Sequence, residues 1–213
     1  MKQEHLIYHS LKSRVPDQAL DYCYRAWLEK PFKFIITRKR STKLGDYRYT
    51  TVDKSHTITV NEDLNIYSFL VTYLHEVAHL RTTVNHGLKV KPHGEEWKFE
   101  FKVLMDPLLK EEIFPEVILQ PLHKYIQNAK ASSCTDADLL KALRLFDADS
   151  KELYLSNLAL GDTFKFNKRM FKKLEIKRSR ALCKDLENGK KYYISEMALI
   201  EQVGQLSIFG GLF

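Results

Sequence analysis

Residues Leu74-His75-Glu76-Val77-Ala78-His79-Leu80 contain a His-Glu-x-x-His pattern, around which the rest of the chain is interpreted. On a helix with 3.6 residues per turn, positions 75 and 79 lie about 40° apart around the axis, so both imidazoles can reach one ion. Glu76 lies about 100° from His75, where its carboxylate can reach a water molecule beside that ion. The pattern is typical of a zinc site in which the glutamate acts as a general base.

The surrounding residues predict a helix with one polar and one apolar face. Ser68 and Thr72 fall on the same side as the two histidines. The opposite side is occupied by Ile66, Leu70, Tyr73, Val77 and Leu80. A chance match among solvated or core histidines would not require this division, so the pattern favours a metal site.

Length and composition indicate a globular protein with a sizeable core. The chain has 213 residues, of which 44% are hydrophobic and 29% are charged, and these values are ordinary for folded domains. The charged start lacks the apolar run of a signal peptide, and no segment approaches the length that spans a membrane. We therefore expect a cytoplasmic protein with no membrane partner.

The three cysteines predict neither a disulfide framework nor a cysteine-based metal site. Cys23, Cys134 and Cys183 are odd in number, far apart and without a Cys-x-x-Cys pair. We expect them to be small buried or indifferent residues rather than nucleophiles.

The chain is basic, and its positive charge is concentrated near the C-terminus. The net charge is +7 at pH 7. Residues 161–213 hold 11 Lys and Arg against 6 Asp and Glu, a net charge of +5. Contact with DNA would be sought first in this region, for example through Lys177-Arg178-Ser179-Arg180. A basic surface that only keeps the protein soluble is at least as simple an interpretation.

Hydrophobic patterning predicts an α+β fold in the first half of the chain. An amphipathic helix over residues 17–30 precedes the first strands. The strands are predicted at residues 32–37, 47–51 and 56–61. Because the four residues between the last two suit a hairpin loop, we expect a small antiparallel sheet.

The helix with the motif is predicted over residues 64–82, with Asn61 or Asp63 as its N-terminal cap. A second helix follows and ends near Met105, before Asp106-Pro107. These elements make up a predicted first domain over residues 1–110.

The rest of the chain is predicted to change from helices to strands. Residues 111–160 form a helical connector, in which Thr135-Asp136-Ala137-Asp138 is a good capping sequence. Residues 161–213 form a small basic β-rich module. Its β-meander has three predicted strands, at residues 163–166, 170–184 and 190–194, with Asn188-Gly189 as a hairpin turn.

A catalytic zinc ion keeps three protein ligands and one open position, so the two histidines of the motif need a partner. The candidates in the following segment are His86, His93, Glu95, Glu96 and Glu100. The longer motif His-Glu-x-x-His-x-x-Gly-x-x-His is not met, because Thr82 and Asn85 occupy its glycine and third-histidine positions.

A second motif, Pro92-His93-Gly94-Glu95-Glu96-Trp97, begins shortly after the helix and places His93 14 residues after His79. A His-Glu-x-x-His helix followed by His-Gly, two residues and a large aromatic residue resembles the SprT-like zinc metallopeptidases, which include bacterial SprT proteins and eukaryotic Spartan proteases. The resemblance covers residues 17–110. It implies a zincin-like metallopeptidase domain in which His75, His79 and His93 bind Zn²⁺ and Glu76 is the catalytic base.

The C-terminal module departs from this family. Many members carry a zinc ribbon with paired cysteines, whereas residues 161–200 contain only Cys183. If the meander corresponds to that ribbon, it has lost the metal, and a role of the ribbon in nucleic-acid binding is put in doubt.

Together these features predict a zinc-dependent metalloprotease that acts on a protein or peptide substrate. Glu76 would take a proton from the attacking water and deliver it to the leaving amine. The strand at residues 56–61 could pair with an extended substrate, although an ordinary structural strand is the simpler interpretation. Two alternatives stay open: a DNA-associated protein with a restrained or structural zinc site, and a zinc-bound scaffold without hydrolytic activity. The sequence leaves the substrate and the oligomeric state open.

Overall fold

The helix with the histidine motif runs through the core of the first of two compact units in a computed structural model of the chain. The structure describes residues 2–40, 42–127, 136–147, 153–177, 180–196 and 198–202. The two units span Met1–Ala148 and Asp149–Phe213. Among the described residues, no helix is both long enough and apolar enough to cross a membrane.

The described part of the first unit combines six α-helices with a small sheet. Its helices are α1 Lys2–Lys12, α2 Asp17–Glu29, α3 Ile66–His86, α4 Glu95–Met105, α5 Glu116–Gln127 and α6 Ala137–Arg144. Its strands are β1 Lys33–Thr37, β2 Gly45–Thr50 and β3 Ser55–Asn61. The mixed α+β class is therefore confirmed, and α1 is a helix that the sequence analysis did not predict.

The strands of this sheet lie in the order β1-β3-β2. β2 and β3 form the predicted antiparallel hairpin, but β1 pairs with β3 in the parallel sense. The expectation of an antiparallel sheet is thus wrong for β1, because the chain crosses the end of β3 between β1 and β2. Since β3 is paired on both sides, it has no free edge for a substrate, and the interpretation of it as a structural strand is correct.

A buried asparagine at the end of β3 holds this crossing segment in place. The backbone N–H of Asn61 donates to the carbonyl oxygen of Leu44 at 2.9 Å. Its side-chain amide donates to the carbonyl oxygen of Lys43 at 3.0 Å, and its Oδ1 accepts from the Arg40 guanidinium at 2.8 Å. Asn61 is 1% exposed, so these bonds satisfy polar atoms that water cannot reach. They fix the start of β2 beside α3.

Helix α3 begins after Asn65, whose Oδ1 accepts from two backbone N–H groups of the first turn at 3.1 and 2.9 Å. The predicted caps, Asn61 and Asp63, are therefore wrong, and Asn61 belongs to β3 instead. At the other end, Gly87 stops the helix with a φ of 84°, a conformation that glycine adopts without steric cost.

One hydrophobic core joins the helices of the first unit. Trp97 and Phe101 of α4 stack with ring centroids 5.0 Å apart, and Phe101 also contacts Tyr125 of α5. The helices predicted as a connector, α5 and α6, contribute buried residues to this core. Asp136 caps α6 as predicted, through a hydrogen bond of 3.1 Å to a backbone N–H, whereas Thr135 lies outside the described residues.

In the described part of the second unit, six strands form a sheet in the order β4-β9-β5-β6-β7-β8. The strands are β4 Leu153–Tyr154, β5 Thr163–Phe166, β6 Arg169–Lys177, β7 Arg180–Asp185, β8 Lys191–Ser195 and β9 Leu199–Gln202. β5 to β8 form the predicted meander. The segment predicted as one strand over residues 170–184 is wrong, because β6 and β7 are two strands that pair with each other in the antiparallel sense. Arg178 and Ser179 of the predicted basic segment lie outside the described residues.

Two of the three cysteines are buried and free, as expected. Burial raises the pKa of the Cys183 thiol to about 11 and raises that of Cys23 further. A thiol with so high a pKa is protonated at neutral pH and is therefore a poor nucleophile. Cys134 lies outside the described residues.

Candidate metal centre

Three imidazoles from two parts of the first unit converge on one point. His75 and His79 lie on α3, and His93 lies in the loop before α4. The Nε2 atom of His93 is 3.1 Å from Nε2 of His75 and 2.9 Å from Nε2 of His79. The structure thus brings together the three histidines that the sequence analysis singled out.

The donor atoms of this group fit a shared cation. A neutral imidazole carries one N–H, so a single proton on His93 cannot serve both neighbouring nitrogens. Four nitrogens arranged tetrahedrally around zinc are separated by about 3.3 Å, close to the observed separations. Within the described ranges, this is the only group of three or more His, Cys, Asp or Glu residues with metal-binding geometry.

An unusual backbone conformation turns His93 toward α3. Its φ is 57°, a left-handed value that is uncommon for residues with a side chain. The N–H of Gly94 donates to the carbonyl oxygen of Lys91 at 2.8 Å and closes the turn. Such strain persists only where the surroundings impose it, and it is frequent at functional sites.

Aromatic rings pack around the three histidines. The ring centroid of Trp97 lies 4.6 Å from those of His75 and His93 and 5.3 Å from that of His79. Trp97 also donates from Nε1 to the carbonyl oxygen of His75 at 3.4 Å. Tyr47 of β2 lies parallel to the His79 ring, with centroids 6.3 Å apart. These contacts restrict the imidazoles to the orientation in which their Nε2 atoms meet.

Burial keeps the imidazoles neutral. It lowers the pKa of His75 well below the ordinary value of 6.5, and the neighbouring His79 and His93 add to the effect. It lowers the pKa of His79 to about 3 and that of His93 to a lesser extent. Neutral imidazole is the form that binds a metal ion, so the site is ready for one at neutral pH.

The carboxylate of Glu76 lies against strand β2, next to the backbone of Gly45. Burial, together with a smaller effect of the charge of Asp46, raises the pKa of Glu76 to about 8, against opposing effects that include a hydrogen bond from the backbone of Tyr47. Gly45 and Tyr47 were missed from the sequence, because their contact with α3 depends on strand pairing that no local pattern shows.

Residues 17–112 match the model of the SprT-like family. They make up less than half of the chain, and we refer to them as the SprT-like domain. The match includes α2 to α4 and all four residues predicted for the site, and it confirms the resemblance found in the sequence. No significant match was found among curated proteins or among solved structures.

A cleft of about 460 Å³ opens over the histidines of the SprT-like domain. One wall is the β2 segment that contains Gly45 and Tyr47, and another is the loop that contains Leu88, Val90 and Pro92. Its size is within the range of ligand-binding pockets.

The other candidate ligands of the SprT-like domain lie elsewhere. Glu100 accepts from Asn85 at 2.8 Å and lies 3.2 Å from Nε2 of His86, so these three residues join the end of α3 to α4. Glu95 is exposed and pairs with a lysine one turn along α4. Neither these residues nor Glu96 belongs to the metal-binding group.

Proposed function

We propose that the SprT-like domain is a zincin-like metallopeptidase that hydrolyses peptide bonds, with Zn²⁺ held by His75, His79 and His93. The observation that carries this proposal is the convergence of three imidazoles beside a buried glutamate. A three-histidine set leaves one ligand position open, which is characteristic of catalytic rather than structural zinc.

The residues of the cleft have separate roles in the proposed reaction. Zinc, when bound, polarises the attacking water and the scissile carbonyl. Glu76 accepts a proton from the water on its carboxylate and passes it to the leaving amine. Burial raises the pKa of this carboxyl when no ion is bound, and the positive charge of a bound ion would lower it again, so that the carboxylate form is available as the proton acceptor. Trp97 and Tyr47 keep the histidines in place.

The free edge of β2 supports an extended peptide as the substrate. Among the strands that the structure describes, β2 pairs only with β3, and its residues line the cleft. A peptide that adds to this edge as another strand presents its carbonyl groups to the site and its alternate side chains to the walls. β2 takes the role that the sequence analysis considered for β3.

Zinc content and proteolysis, measured together, test the proposal. We expect about one zinc ion per wild-type chain and its loss in His79→Ala and in His93→Ala. Glu76→Gln should keep the zinc and abolish hydrolysis of an unfolded protein substrate. Glu95→Gln, at an exposed glutamate near the site, is the control and should retain both.

The possible outcomes separate the alternatives. Unchanged turnover in Glu76→Gln would exclude this residue as the base. Full zinc occupancy without hydrolysis in the wild type would favour a structural site or a scaffold.

We propose contact with nucleic acid through the second unit as a second function. The pairing register places three exposed lysines directly opposite one another on neighbouring strands, Lys172 on β6, Lys184 on β7 and Lys191 on β8. None of them forms an ion pair with another described residue. We call this set the lysine row.

Like charges that face each other across strands destabilise a sheet. Lysines on an edge strand prevent aggregation, but Lys184 lies on β7, which is paired on both sides. The lysine row therefore has no evident structural benefit, and the phosphates of a polyanion would relieve the repulsion.

An exposed tyrosine beside the lysine row favours a single strand as the ligand. Tyr193 is 52% exposed, and the Nζ atom of Lys177 lies 5.9 Å from its ring centroid. Tyr193 and Lys191 are two residues apart on β8, so they share one face of the sheet. A cationic surface with an accessible aromatic ring binds the backbone and a stacked base of single-stranded nucleic acid.

A further inference from the structure

A second pair of histidines lies one helical turn apart on α1. The Nε2 atoms of His5 and His9 are 3.2 Å apart, their ring centroids 4.3 Å apart, and their ring planes are inclined at 61°. For His75 and His79 on α3, the centroid distance is 5.0 Å and the inclination is 66°. The α1 pair thus has nearly the geometry of the two helical histidines in the candidate metal centre.

We propose that His5 and His9 form a second, weaker binding site for a divalent transition-metal ion. Imidazole is a good ligand for Ni²⁺, Cu²⁺ and Zn²⁺, and two imidazoles four residues apart on a helix can bind one ion together. Among the described residues, no third His, Cys, Asp or Glu joins the pair. Water would fill the remaining positions, so the ion should bind less tightly than at a three-histidine site.

A hydrogen bond between the two rings would also account for their separation. Both residues are exposed, so water competes for the same nitrogens, and such a bond contributes only about 1 kcal/mol. An ion that binds both nitrogens would therefore displace only a weak hydrogen bond.

The position of the pair leaves the packing of α1 undisturbed. Ile7 and Leu11, on the opposite side of α1, are buried in the core of the first unit. The pair precedes the SprT-like domain, which begins at residue 17. An ion there would not take part in hydrolysis, but it would stabilise the helical form of α1, because only that form holds the two rings together.

Calorimetric titration with Ni²⁺ tests the site. Either His5→Ala or His9→Ala should weaken the binding of Ni²⁺ at α1 about tenfold or more, because the remaining imidazole no longer has a second ligand held nearby. His9→Gln, which keeps a polar side chain, should behave in the same way. His123→Ala, at a lone exposed histidine of α5, is the matched control and should bind like the wild type.

Hydrogen exchange provides a second measurement. Ni²⁺ should slow amide exchange over residues 2–12 in the wild type and not in His9→Ala. Equal Ni²⁺ affinity in the wild type and both alanine variants would overturn the proposal. An equal loss of Ni²⁺ affinity in His123→Ala would also overturn the proposal, because single histidines would then be binding the ion independently.

Discussion

Gly45 and Glu76 are so close that no side chain fits between strand β2 and helix α3. A Cβ atom on Gly45 would lie 2.6 Å from Oε1 of Glu76 and 2.8 Å from its Cγ. It would also lie 2.7 Å from a methyl group of Thr72. The backbone of Gly45 is not left-handed, so a glycine is needed here for space and not for its conformation. The absence of a side chain at Gly45 therefore allows Glu76, the proposed general base, to lie directly against β2.

We expect Gly45→Ala to lower hydrolysis about 100-fold or more, because a displacement of a catalytic group by about 1 Å has effects of that size. Zinc content should stay at the wild-type value, since the atoms nearest to the new methyl group belong to Glu76 and Thr72 and not to the histidines. Parallel assays of metal and activity check this, with Thr50→Ala on the exposed part of β2 as the control. Loss of zinc together with activity would instead mean that the whole strand had moved.

The buried carboxyl of Glu76 should make the zinc-free protein less stable at alkaline pH. Burial raises its pKa from 4.5 to about 8, so between these values the folded state binds more protons than the unfolded state. The stabilisation from this group is complete below pH 4.5 and is lost as pH rises through about 8, at about 1 kcal/mol per pH unit. Glu76→Gln should remove this dependence and be more stable than the wild type at pH 8.

Urea denaturation of zinc-free protein from pH 5 to 9 measures the difference. The histidines titrate in both proteins, so comparison of the two pH profiles isolates Glu76. Parallel profiles would show that the carboxyl is not buried in solution.

The histidines of the centre should retain zinc in mildly acidic solution. Three ordinary imidazoles with a pKa of about 6.5 would take up three protons as pH falls, and zinc affinity would drop by up to about three powers of ten per pH unit. Here burial keeps the pKa of His75 and His79 far below that value. Between pH 7 and 5.5 we expect the drop to be about one power of ten per unit or less, measured by chelator competition. A slope near three would contradict the burial of the site.

The local part of the site could be predicted from the sequence, and the rest could not. His75 and His79 follow from the helical period, which also places an apolar face behind them. His93 was one of five candidate third ligands, and only the resemblance singled it out, because a left-handed turn brings it to α3 and no periodicity encodes that turn. Gly45 and Tyr47 depend on the register of a strand some 30 residues earlier.

The sheets show the same limit. Alternation of residues predicts where strands lie, but not which strands become neighbours. The parallel pairing of β1 depends on the segment that Asn61 holds across the end of β3. In the second unit, the lysine row becomes visible only when the register aligns residues from three strands.

The lysine row should bind single-stranded DNA with a strong dependence on salt. Changing Lys172, Lys184 and Lys191 together to Gln should reduce the slope of log affinity against log salt by about 2, because each contacted phosphate of a single strand contributes about 0.7. Fluorescence anisotropy with a labelled oligonucleotide measures this slope. The matched control removes the same charge from exposed positions of the first unit, at Lys102, Lys110 and Lys141.

Tyr193→Ala separates base stacking from charge. Stacking of one base contributes about 1–3 kcal/mol, so this variant should lose affinity at every salt concentration without a change of slope, whereas Tyr193→Phe should bind like the wild type. If the two triple variants lose the same affinity, only the net charge matters and the lysine row is not a binding surface. If the wild type binds anionic vesicles but not the oligonucleotide, the partner of this face is a lipid surface and nucleic acid is excluded.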